Sequence, residues 1–140
     1  MRYLANFPLL LLVLLGYLGV TLLSADGNAA LQHPLFGFTL FSGARFQLDG
    51  NGVFLILGLF LLFFEVLKST RVGSSTVIDH LLSTFVFVGF LVAFIVIPAA
   101  GTQEFLALTL MSLIDVLSGF TVSIATARRD FGVDPHLHGG

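Results

Sequence analysis

The chain contains no cysteine and no tryptophan, and only six Lys/Arg and eight Asp/Glu among 140 residues. Without cysteine there is no disulfide framework, no thiolate metal site and no cysteine nucleophile, and thiols give no clue to the redox compartment. A formal net charge of −2 with no basic stripe offers nothing to grip a nucleic-acid backbone. No HExxH, GxGxxG, P-loop or GxSxG pattern occurs, so the common hydrolase, nucleotide and zinc chemistries lack their signatures. No histidine sits at the centre of an apolar run where it would clamp a haem. These absences predict a protein that is not an enzyme and carries no cofactor and no metal. Apolar side chains are abundant instead: 56% of residues are hydrophobic and the mean hydropathy is +1.02, which places the chain among membrane proteins.

About 20 apolar residues cross a bilayer core, and four stretches qualify or nearly so. They predict spans over about 6–23, 52–70, 77–97 and 103–127, an outer loop over 24–50 and a cytoplasmic tail over 128–140, all in one integral membrane domain. The first run, behind Met1-Arg2, also resembles a signal peptide in outline, but it is longer than the usual 7–15-residue signal core, which favours a retained helix. Pro8 then falls in its first turn, where a missing N–H is tolerated. In the outer loop, two arms, 35–41 and 44–48, flank Ser42-Gly43 with alternating apolar residues. The alternation predicts a short β-hairpin, with a re-entrant or interfacial segment as the alternative for Phe36, Phe38, Phe41 and Phe46. Asp49 or Asn51 is the expected N-cap of the second span, Thr76–Asp79 fits a capping box for the third, and Thr102 opens the fourth.

With four spans, Arg2, Lys68, Arg71, Arg128 and Arg129 fall on one side and Arg45 alone on the other. That asymmetry predicts cytoplasmic termini by the positive-inside rule. Short second and third loops predict antiparallel neighbours, hence an all-α up-down bundle of spans two to four with span one packed on it.

Asp115 stands about midway along the fourth apolar run. On a helical wheel Ser112, Ser118, Gly119, Ser123 and Thr126 share its side, so this span has a polar seam that must face protein or water rather than lipid. An Asp at a helix centre costs about 2.5–3.5 kcal/mol on the insertion scale, and each Leu, Ile, Phe or Val returns about 0.3–0.6. The span therefore inserts. The seam has two readings, a proton or cation site at Asp115 or interhelical glue made by a neutral acid. Glue is favoured because no second midplane acid or base is evident in the sequence to complete a relay.

A second set, Glu65, Lys68, Arg71, Asp79 and His80, gathers near the cytoplasmic ends of spans two and three. Its plain reading is a Glu65–Lys68 pair at i,i+3 and a capping Asp79. Its sharper reading makes His80 and Glu65 a proton entry toward Asp115. Asp134, His136 and His138 in the tail supply two imidazoles and no fixed third ligand, too few for a metal site.

Phe64–Arg71, Asp79-His80, Asp115-Val116 with Gly119-Phe120, and Ala127–Asp130 resemble small four-span inner-membrane proteins of proteobacteria. The resemblance covers about 52–133 and implies a bacterial inner (plasma) membrane; that group has no assigned activity and brings over no functional residue. Taken together, the sequence predicts a non-enzymatic membrane protein acting through assembly, as a homo-oligomer or accessory subunit, with the lipid bilayer and other membrane subunits as partners and no nucleic acid. The alternatives are an oligomeric proton or cation channel with Asp115 lining the path, and, more weakly, a lipid or quinone-tail site among the Phe-rich faces of spans two and three.

Overall fold

A computed structural model describes residues 7–70 and 76–131. Among the described residues there are four helices, α1 (Leu10–Leu23), α2 (Gly50–Ser69), α3 (Thr76–Val96) and α4 (Gln103–Phe131), with an antiparallel hairpin of β1 (Pro34–Thr39) and β2 (Arg45–Asp49) between α1 and α2. Two 3-10 turns, Gly27–Leu31 and Pro98–Ala100, complete the connections.

Local chemistry sets the helix ends. The Asp49 side chain accepts from the Gly52 N–H at 2.8 Å and starts α2. The hydroxyls of Ser69 and Thr70 donate to the carbonyls of Val66 and Leu67 at its last turn. Pro98 holds Ile97 in an extended conformation and stops α3, and Thr102 Oγ1 accepts from the Phe105 N–H at 3.1 Å to open α4. Thr76 and residues 71–75, including Arg71, lie wholly or by their side chains outside the described residues, as do Arg2, Asp134, His136 and His138. The expected capping box on Thr76 falls there; its other member, Asp79, has an Oδ1 atom that is buried without a hydrogen-bond partner.

Among the described residues three helices, α2, α3 and α4, are long and apolar enough to cross a membrane. The expected first span is shorter than the sequence suggested: α1 has 14 residues and begins after Pro8 rather than around it. At 1.5 Å per residue it covers about 21 Å, against about 30 Å of hydrocarbon.

The connection between α1 and α2 is built on a hairpin rather than a re-entrant segment. Phe38 pairs with Phe46 and Phe36 with Leu48, with an irregularity between Pro34 and Phe36. Gly43 takes φ +82 in the turn and donates its N–H to the Leu40 carbonyl. β1 is exposed along its whole length.

The helices form a ring in the order α1, α2, α4, α3. Gly16 of α1 lies against Phe54 of α2, Gly58 of α2 against Leu108 and Met111 of α4, Gly119 of α4 against His80 of α3, and Gly89 of α3 against Leu14 of α1. Consecutive helices α2 and α3 are therefore not the close neighbours that a short connection suggested; α4 packs between them. The seam of α4 explains this, because it needs protein on both flanks and the two glycines let backbones approach. Since 58 meets 108 and 65 meets 115, α2 and α4 run parallel, whereas α1/α2 and α3/α4 are antiparallel.

Inside the ring Tyr17, Phe54, Phe90 and Phe105 stack in edge or tilted contacts at 4.9–5.5 Å. Tyr17 is fully buried, and its hydroxyl accepts from Asn28 Nδ2 at 2.7 Å and lies 3.1 Å from Thr102 Oγ1. This ties the α1–α2 connection to α1 and to the start of α4. Phe60, Phe63, Phe64 and Ile95 face outward, as lipid-facing side chains do.

Candidate functional site: a carboxyl pair between helices

Glu65 and Asp115 meet. The sequence separates them into a cytoplasmic cluster and a midplane acid, but their side chains lie beside each other at the α2/α4 contact, line one cavity and are 2% and 6% exposed. The expectation that Asp115 has no second acid at its level is corrected by helix length. α4 has 29 residues and α2 has 20, so the middle of α4 stands beside the last turns of α2. Glu65 is four residues from the end of α2, about 6 Å along the axis.

An ionised carboxylate only accepts hydrogen bonds, so two neighbouring carboxyls can bond each other directly only when one of them carries a proton. Two adjacent carboxylates in a buried site do not both ionise readily. The pair is thus built to share a proton. Glu65 also accepts from the Leu9 N–H at the start of α1, where no side chain of α1 itself caps the helix. Lys68 Nζ lies 3.8 Å from Glu65 Oε1 and donates to the Phe7 carbonyl at 3.1 Å. One carboxyl therefore joins α1, α2 and α4, and the α1 N-terminus favours negative charge at that point.

His80 of α3 closes the other side. Its Nε2 is 2.6 Å from Ser123 Oγ, and its ring lies over Gly119 so closely that a Cβ there would overlap it. Phe120 flanks the ring at 6.0 Å between centroids. Glu65, Lys68, Asp79, His80, Asp115 and Gly119, with Ser69 and Ser83, line one small cavity of about 20 Å³.

Of the expected seam, Asp115, Gly119 and Ser123 make cross-helix contacts. Ser112 and Ser118 instead donate to carbonyls of α4 itself, those of Thr109 and Asp115, at 2.7 and 2.8 Å. Of the expected ion-pair cluster, Glu65, Lys68, Asp79 and His80 gather at the cavity, while Arg71 lies outside the described residues. Sequence reasoning missed the Leu9 N–H, Ser69, Ser83 and the Tyr17–Asn28–Thr102 network. Hydroxyls inside apolar helices were the available signal for the serines; a backbone donor from a distant helix leaves none.

No family model, no curated protein and no solved structure matches this chain. The resemblance to small four-span proteins gains no support from these comparisons.

Proposed function

We propose that this is a non-enzymatic integral membrane protein that acts through assembly, as a homo-oligomer or as an accessory subunit of a larger membrane complex. The observation that carries the reading is the hairpin. Phe36, Phe38 and Phe46 are 59%, 48% and 41% exposed on one face of a two-stranded sheet with open edges. A lone hairpin is marginally stable in water, and open edges do not face hydrocarbon, so this element suits a protein partner at the membrane surface. The bundle interior, by contrast, has Glu65, Asp115, His80 and most hydroxyls facing partners within the chain.

A channel with Asp115 along a path shared between copies is less well supported, because that carboxyl is turned to Glu65 of its own chain. We adopt a bacterial inner membrane with cytoplasmic termini from the distribution of basic residues and the resemblance described above, which puts the hairpin outside. A photo-crosslinking residue at Phe38, compared with one at Phe63 on the lipid-facing side, tests the reading. Discrete crosslinked products of defined mass from Phe38 and none from Phe63 are expected; a monomer at all protein concentrations with no product from Phe38 refutes it.

A further inference from the structure

We propose that the cavity beside Glu65 and Asp115 holds one ordered water and, through it, serves as a proton-exchange site entered from the Lys68–Asp79 end of the bundle. This goes beyond assembly and does not depend on it. The space is about 20 Å³, and a single water needs about 10–15 Å³ together with two to four polar partners. Asp79 Oδ1 is buried and unpartnered among the described residues, and Asp79 lines this cavity. The carboxyl pair and Ser83 line the same space, so the partner that Asp79 lacks and the partners that a water requires are the same set.

A metal cation fits less well. Among the described residues no three Asp, Glu or His side chains converge as metal ligands, and the Lys68 ammonium already stands 3.8 Å from Glu65. The occupant is thus water, and what it exchanges is a proton. In the uptake step a hydronium gives one H⁺ to a carboxylate oxygen of the pair and remains as water; release is the reverse, with no other bond made or broken.

The groups facing the pair are few. α1 contributes the Leu9 N–H, α2 contributes Lys68, and α3 contributes Asp79 and His80. Position favours the Asp79 end as the entrance, since Lys68 is 29% exposed there while Glu65 is sealed.

The test uses the full chain in lipid vesicles, with infrared difference spectra of protonated carboxyl groups recorded on changing H₂O for D₂O. Wild type is expected to show a protonated carboxyl at neutral pH that disappears in both Glu65→Gln and Asp115→Asn, because one proton is shared. Ser83→Val fills the cavity and is expected to slow the deuterium shift by on the order of tenfold, and by more than Ser83→Ala, which removes one polar partner but leaves the space open. Asp79→Asn, which keeps the shape but neither takes up nor releases a proton near neutral pH, is expected to slow it as well and decides the matter if Ser83→Val does not insert. Exchange in Ser83→Val and Asp79→Asn as fast as in wild type, or a carboxyl band indifferent to Glu65→Gln and Asp115→Asn, overturns the proposal.

Discussion

Gly119→Ala is expected to change sign with its neighbour. In the native chain the new Cβ overlaps the His80 ring, so the ring moves and its 2.6 Å contact with Ser123 is lost. Overpacking costs about 1–3 kcal/mol and the lost hydrogen bond about 0.5–1.5, while replacing a helical glycine by alanine returns about 0.8–1. The balance is a destabilisation of about 0.5–3.7 kcal/mol. With His80→Ala already in place the clash and the hydrogen bond are both gone, so only the propensity gain remains and Gly119→Ala stabilises by up to about 1 kcal/mol. Reversible unfolding in mixed micelles, run as a double-mutant cycle, measures the difference. Equal destabilisation by Gly119→Ala in both backgrounds refutes the packing of α3 on α4 through this glycine.

Three further outcomes are expected. Glu65→Ala strands the Leu9 N–H and the Asp115 carboxyl and should cost about 1–3 kcal/mol per unsatisfied group, whereas Glu65→Gln retains a donor and an acceptor and should cost less; the same unfolding curves compare them. Tyr17→Phe removes the hydroxyl that Asn28 and Thr102 share and should lower stability by about 1–3 kcal/mol, with faster proteolysis within residues 24–33. Asp49→Ala deletes the α2 cap and should cost about 1 kcal/mol, read as a shifted unfolding midpoint with no change in crosslinking from Phe38.

The elements were largely legible because apolar runs and their caps are local signals: Asp49 and Thr102 open helices where the sequence suggested, α3 ends within a residue of the expected third span, and the alternation around Ser42-Gly43 is a hairpin. Packing was less legible. A short connection implies adjacency, yet the needs of the α4 seam place that helix between α2 and α3. The site was half legible. Asp115, Glu65 and His80 each stand out as polar groups in apolar helices, but their meeting depends on how far α4 overhangs α2, a tertiary fact that no single helix carries. The length of α1 was overestimated because apolar composition continues through Phe7 and Pro8 while the helix starts at Leu10.

The claim at the centre of this account is that Asp115 faces Glu65 of its own chain. With no native cysteine, the double variant Glu65→Cys, Asp115→Cys tests it directly in membranes under mild oxidation. An intramolecular disulfide, seen as a monomer-mass product with altered mobility and no free thiol, is the expected result. Disulfide-linked dimers from Asp115→Cys alone, with no internal crosslink in the double variant, contradict it.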